Sequence, residues 1–331
     1  MSEKISLFYL SHCRVGGWVT YTVHLIRALK ACGLEVELYE VKTRTEEKKR
    51  KFSEEIEYQN LCLDDALKIA ESTVSIVVAL GNRYYDKGFP IIAKCQTVVL
   101  HDTAELNAGI IDFLKDNNVR VITIRQAITD CLKERGLQST PILHPYVPYN
   151  LGDTEKDWNA VSTSRICWDK YTHWIYGANK ILDEEGLQDK KCKVYGFDNR
   201  AYSCRKLTPV FPKWREEWYG SFKGGEGVKL AARSRFVVDL TDIKGDGGGT
   251  QYTFLEAFDA GAILILNKAW LAVKNDVMQD QVNCIGVSNP EELALALRNG
   301  AHEPEMVRSC RELLLNHAPE NIIPAYFDAL E

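Results

Sequence analysis

The chain has 331 residues, 45% hydrophobic and 26% charged, with a formal net charge of −5. That balance describes an ordinary globular protein long enough for two domains, and it supplies no global positive field to attract nucleic acid. The ten cysteines are scattered without a C-x-x-C pair, which argues against a disulfide framework or zinc site and for a reducing cytoplasm. No apolar run approaches a membrane span, and the N-terminus does not read as a secretory signal.

Residues 5–10 form a short apolar run and predict a first strand. A loop with Gly16-Gly17 follows, then a helix over residues 18–31, where Val19, Val23, Ile26 and Leu29 share one face. Gly33 ends it, and the alternating run 35–41 predicts a second strand. This is a βαβ unit of a doubly wound domain. The Gly-Gly turn lacks the G-x-G-x-x-G spacing, and no acidic residue stands clearly in the ribose role, so a nicotinamide enzyme is disfavoured. Residues 42–51 are the densest basic stretch, with Lys48, Lys49, Arg50 and Lys51 at its end; it reads either as a solvated helix face or as a phosphate-backbone contact surface. Residues 74–80 predict a buried strand. The strand from Thr97 ends in His101-Asp102, at the carboxyl end where open α/β sheets bind ligands. A structural reading, with Asp102 as the N-cap of the next helix, stands beside it. A strand at 119–124 and a helix from Gln126 to Arg135 lead to three prolines within residues 141–148, an extended interdomain hinge.

The pattern repeats after the hinge. A strand over 160–166 carries Arg165 near its carboxyl end, and a loop with Lys170 leads into a helix over 172–185. A strand from Cys192 ends at Gly196. The segment 198–224 is irregular, aromatic and basic, and includes Lys213 and Arg215. A short helix, residues 227–233, precedes the apolar strand 235–240. Next comes the stretch Gly245-Asp246-Gly247-Gly248-Gly249-Thr250, then a helix containing Glu256, then a strand over 262–266. Such a turn lets backbone approach a ligand closely, and the N–H groups of a first helical turn favour an anion. Glu256, inside that helix among apolar neighbours, needs a partner, and a sugar hydroxyl is one candidate; an exposed Glu after a plain surface loop is the other. A last strand near 282–287 and three helices complete the chain. The domains expected are 1–150, 151–310 and a C-terminal helix, 311–331, packing back on the first.

Gly16, Gly17, Arg165, Lys170 and the Gly247–Gly249 turn together suit a diphosphate held without metal, and no D-x-D triplet exists to bridge one. Four short pieces resemble the GT-B class of retaining glycosyltransferases (family 4-like): Gly16-Gly17 before a helix, Ser164-Arg165-x4-Lys170, Val194-Tyr195-Gly196, and Leu255-Glu256-Ala257-x3-Gly261. A narrower resemblance, through Arg165-x4-Lys170, Tyr252-Thr253-x-Leu255-Glu256 and Val98-Val99-x-His101-Asp102, is to the DNA α-glucosyltransferases of T-even phages. The resemblance implies a GT-B fold, two Rossmann-like doubly wound domains facing a cleft. It implies a nucleotide-diphosphate sugar, a UDP-sugar, as donor with no cofactor required, and double-stranded DNA bearing 5-hydroxymethylcytosine as acceptor. Arg165 and Lys170 would grip the diphosphate and Glu256 the ribose. His101 and Asp102 would lie near the donor sugar and the attacking hydroxyl. Lys48–Lys51, Lys213 and Arg215 would touch DNA. A second Glu, found in many such enzymes eight residues before the ribose Glu, is here Gly248, with Asp246 close by. A glycan, lipid or small-molecule acceptor, or a non-catalytic nucleotide-sugar-binding protein, are the alternatives.

Overall fold

The structure is a computed structural model that describes residues 4–14, 16–41, 52–152, 154–243, 249–272, 277–300 and 303–330. The chain divides into two compact units: one holds the described residues up to Val147 and those from Asn316 onward, and the other holds those from Pro148 to Leu315.

The first unit is built on seven strands: β1 (Lys4–Leu10), β2 (Glu35–Val41), β3 (Gln59–Leu61), β4 (Val74–Leu80), β5 (Thr97–Leu100), β6 (Arg120–Thr123) and β7 (Thr140–Pro141). All pairings are parallel, in the order β3-β2-β1-β4-β5-β6-β7. Helices cover a parallel sheet on both faces, which is why β4 reads as one apolar run and is buried from Ser75 to Leu80. The register between β1 and β4 slips at Phe8/Tyr9, where Phe8 faces Val77 and Tyr9 faces Ala79. The extra residue, Val78, is a β-bulge left without a partner on β1. The C-terminal helix Pro319–Leu330 belongs to this unit. It packs on the helix Gly17–Ala31 and on β6, where Tyr326 and Tyr21 pair their hydroxyls and Arg120 donates to the Leu330 carbonyl at 2.7 Å.

The second unit has five parallel strands: β8 (Trp158–Ser162), β9 (Cys192–Val194), β10 (Ser234–Asp239), β11 (Ile263–Asn267) and β12 (Cys284–Val287). Their order is β12-β11-β10-β8-β9. Phe236, Val238, Ile263 and Ile265 meet Ile175, Leu182 and Leu293 in its core. β8 stops at Ser162, short of the run to Ile166 that the sequence suggests, so Arg165 lies in the loop beyond the strand. The glycine stretch does not open its helix either: that helix is Tyr252–Asp259, with Gln251 at its N-cap.

Each sheet has one place where consecutive connections leave in opposite directions. In the first unit it is between β1 and β4, and in the second between β8 and β10. Loops at the carboxyl ends of such strand pairs are where doubly wound sheets bind ligands.

Candidate functional site

In the second unit, the loops after β8 and β10 lie side by side and are tied by the Asp242 N–H donating to the Asp169 carbonyl at 2.7 Å. Gly196 backs the first loop. Its φ is +138°, and a Cβ there would stand 2.0 Å from the Ser164 carbonyl oxygen, so only glycine fits. Beside it, Ile166 N–H donates to the Phe197 carbonyl and Asn199 N–H to the Ile166 carbonyl, each at 3.0 Å. Arg165 projects from this braced loop: it is exposed, and its guanidinium has no ion-pair partner among the described residues. Lys170 closes the turn Trp168–Lys170, and Tyr171 follows with φ +44°, an uncommon conformation for a bulky side chain.

The Lys170 ammonium donates to the Thr241 hydroxyl. That hydroxyl in turn donates to Asp239 Oδ1, which also accepts the Thr241 N–H at 3.0 Å. Asp239 is wholly buried at the end of β10, and its Oδ2 has no hydrogen-bond partner among the described residues. Trp270 joins this cluster to the helix Tyr252–Asp259: its indole N–H donates to the Thr241 carbonyl at 2.8 Å, and its ring meets Phe254 edge-on at 5.3 Å. Before that helix, Gly249 has φ +93° with open space where a Cβ would be, and Thr250 is buried. Glu256, half-buried, carries its carboxylate over a neighbouring helix, Glu226–Ala232, because a Cβ on Gly227 would stand 3.0 Å from Glu256 Oε2. Two cations at a strand switch point beside a helix N-terminus suit a doubly charged phosphate group. Cys167, in the same loop, is no nucleophile: burial and then the hydrogen bond to Asp169 push its thiol up to about 11.

The first unit has a different chemistry at the corresponding loops. Gly16, with φ +92°, N-caps the helix Gly17–Ala31, and a Cβ on Gly16 or Gly17 would meet nothing within 4 Å. Arg14, just before, is paired with Glu40 and stacked 4.6 Å over Phe52. His101, buried at the end of β5, donates its Nε2–H to the carbonyl of the bulged Val78 at 2.7 Å. Its ring lies edge-on to Tyr21 at 4.6 Å and 6.0 Å from Trp18. Burial drives its pKa down to about 4, with the Arg125 charge adding to the effect, so His101 is neutral at physiological pH. Asp102 spends Oδ1 on the Ala104 N–H at 2.9 Å, as the N-cap of the turn Thr103–Glu105.

Sequence reasoning missed two carboxylates and a cluster. Asp239 was legible as the one acidic residue in a largely apolar strand. Glu105, four residues past His101, accepts the His101 N–H at 3.1 Å and leaves Oε1 buried without a partner among the described residues. Burial, opposed by the His101 N–H but reinforced by Asp102, lifts its pKa to about 8. Four histidines also gather in this unit. His144 is held well below the usual histidine range by burial, then by Arg125, His317, His101 and His24. His24 Nδ1 accepts the Val147 N–H at 3.0 Å and stacks on Tyr146 at 4.4 Å, and His317 donates to the His144 carbonyl at 2.7 Å. These bonds hold the proline-rich segment that the sequence presents as a hinge. No group of three or more His, Cys, Asp or Glu suited to a metal occurs among the described residues.

Of the expected DNA contacts, Lys213 is exposed. Arg215 is half-exposed, stacked 4.4 Å over Trp214 and paired with Asp198 at 3.0 Å. Lys48, Lys49, Arg50 and Lys51 lie outside the described residues, as do Asp246, Gly247 and Gly248. No described helix is long and apolar enough to cross a membrane.

No protein-family model matches this chain, and no curated protein matches it in sequence. Solved structures do. An alpha-glucosyltransferase in complex with UDP and a 13-mer DNA containing a HMU base is 13% identical, with full coverage of both chains and a TM-score of 0.71. A pneumococcal O-GlcNAc transferase, GtfA, in complex with UDP and GlcNAc, is 9% identical over 99% of this chain and 98% of that one, also with a TM-score of 0.71. Anabaena Alr3699/HepE in complex with UDP and glucose is 12% identical over 99% of both chains, with a TM-score of 0.69. The fold is thus that of the GT-B glycosyltransferases.

Proposed function

We propose that this chain is a glycosyltransferase that moves a sugar from a UDP-sugar to a hydroxyl, with 5-hydroxymethylcytosine in DNA as the acceptor and with retention at the anomeric carbon. The observation that carries the reading is the second unit's switch point, where the loop holding exposed Arg165 and the Thr241-anchored Lys170 is tied to the loop after β10, which leads on to the helix that carries Glu256. The fold shared with UDP-bound transferases supports the donor, and the DNA in one of those structures supports the acceptor.

In the reaction the bond from the anomeric carbon to the β-phosphate oxygen breaks, and its electron pair stays on UDP. Arg165 and Lys170 stabilise that developing charge more than they stabilise the ground state. Glu256 holds the ribose hydroxyls. The acceptor oxygen forms the new bond to the anomeric carbon and gives up its proton. His101 is too weak a base to keep that proton, since its ring titrates near 4; it orients the hydroxyl through Nδ1, with Asp102, and the proton passes to the departing phosphate. In duplex DNA the target base is flipped out to reach these groups.

The test is a panel of nucleotide sugars offered with hydroxymethylated DNA, unmodified DNA, and glycan or lipid acceptors. Transfer to modified DNA alone is expected, with a KM for DNA that rises with salt. Transfer only to another acceptor refutes the DNA assignment, and absence of both transfer and donor hydrolysis refutes the enzyme. Lys170→Ala and Arg165→Ala are each expected to lower kcat by about 10²–10³, the cost of losing one donor to a developing charge.

A further inference from the structure

We infer that Asp239 and Thr241 are positioning residues for the donor's diphosphate, acting through Lys170. The inference rests on the donor reading above and deepens it. Three groups form a one-way chain. As a carboxylate, Asp239 can only accept; it takes both the N–H and the hydroxyl proton of Thr241 on Oδ1. The hydroxyl proton is therefore committed to the carboxylate, and the lone pairs of the same oxygen are turned to the Lys170 ammonium, which can only donate. A lysine on its own is a point charge on a flexible stem. Here one of its three N–H bonds is fixed by a hydroxyl that cannot rotate away, and two remain for phosphate oxygens.

The chain is supported from behind. Asp239 is fully buried and Thr241 nearly so. The Thr241 carbonyl is pinned by the Trp270 indole, and Asp242 is pinned to the Asp169 carbonyl, one residue before Lys170. The burial of Asp239 has a cost that the fold does not need, because an apolar residue would suit this buried end of β10 better. Oδ2 has no partner among the described residues, so the bonds this carboxylate makes go to Thr241. Through Thr241 the carboxylate holds the lysine at the switch point, while Arg165 in the same loop stays exposed.

The experiment compares the affinities of UDP and UMP, which differ by the phosphate that Lys170 would hold. Wild type is expected to prefer UDP, and Lys170→Ala to lose most of that preference. Thr241→Val keeps the shape but removes the hydroxyl; it should lower the UDP-to-UMP preference by about tenfold, the worth of one hydrogen bond to a charged group. Thr241→Ser restores it to within about twofold on the same reasoning. Asp239→Asn should fall between wild type and Thr241→Val. If Thr241→Val keeps the wild-type preference while Lys170→Ala loses it, the positioning role is wrong. Equal weakening of UDP and UMP by Thr241→Val and Thr241→Ser also overturns it, since that is what loosened packing alone would do. A wild type that binds UDP no better than UMP overturns the donor reading itself, and this inference with it.

Discussion

Replacing Glu105 by Gln should change how stability responds to pH, and the structure fixes the sign. The carboxyl is buried, and its pKa is raised from 4.5 to about 8. In the folded state it keeps a proton that the unfolded chain releases, so its contribution is intact below pH 4.5 and is lost as pH rises through 8. At about pH 8.5 the cost of holding that proton, or of ionising in a buried site, is roughly 4–5 kcal/mol; at about pH 5.5 it is roughly 1.4 kcal/mol. Glu105→Gln removes the titration. Whatever the amide costs in packing or lost bonds is the same at both pH values, and so are the histidine contributions, which cancel between variant and wild type. The difference in unfolding free energy between Glu105→Gln and wild type should therefore move by about 3 kcal/mol in the variant's favour from the lower pH to the higher. In urea this is a relative midpoint shift on the order of 1–2 M, given the slopes usual for domains of this size. Urea titrations at the two pH values read it directly. A difference between the proteins that is flat with pH would mean that Glu105 is ionised throughout, and the account of its burial would be refuted.

Other outcomes follow from single contacts. His24 has the opposite sign: burial, then the Arg27 charge, lower its pKa to about 3, so the stability it contributes is present above 6.5 and is lost as pH falls toward 3. Wild type should lose about 1.4 kcal/mol more than His24→Asn between about pH 7.5 and pH 5.5, read by the same titrations. Gly196→Ala drives a Cβ to 2.0 Å from the Ser164 carbonyl at a positive φ; a loss of about 2–4 kcal/mol in thermal stability is expected, with UDP binding by calorimetry abolished. Gly227→Ala crowds Glu256 Oε2, 3.0 Å away. On the ribose assignment it should weaken UDP by about tenfold and leave 2′,3′-dideoxy-UDP unchanged, since one charge-assisted hydrogen bond is at stake.

The βα pattern was legible because parallel strands buried on both faces read as apolar runs, as residues 74–80 and 262–266 do. The short elements were not. β3 and β7 have three and two residues and bury little, so no periodicity marks them. The helix Tyr85–Cys95 carries Pro90 inside it, a signal that argues against the element it sits in. At the site, Arg165 and Lys170 stood out because their spacing is local. The Lys170–Thr241–Asp239 chain spans 71 positions between lysine and threonine, and only the crossing of β8 and β10 brings its ends together. Likewise, nothing in the sequence marks Val78 as bulged or as the residue whose carbonyl fixes the His101 tautomer.

The two switch points share a topology and differ in electrostatics, and that difference bears on the proposed division of labour. The second unit holds full charges: Arg165 and Lys170, with a buried carboxylate behind the lysine. A diphosphate leaving group needs that, because its charge grows as the reaction proceeds. The first unit, by contrast, keeps its central groups uncharged at neutral pH. His101 is neutral because burial lowers its pKa, and Glu105 is largely protonated because burial raises its own. A neutral imidazole can accept a hydrogen bond from an alcohol, which an imidazolium cannot. If the first unit binds the acceptor, acidification should inhibit transfer as His101 takes up a proton. The midpoint should follow His101 titration near 4 rather than the ordinary histidine value of 6.5. A pH profile of kcat falling with a midpoint near 6.5 would mean that His101 titrates as an exposed ring does, and the acceptor assignment would lose its chemical basis.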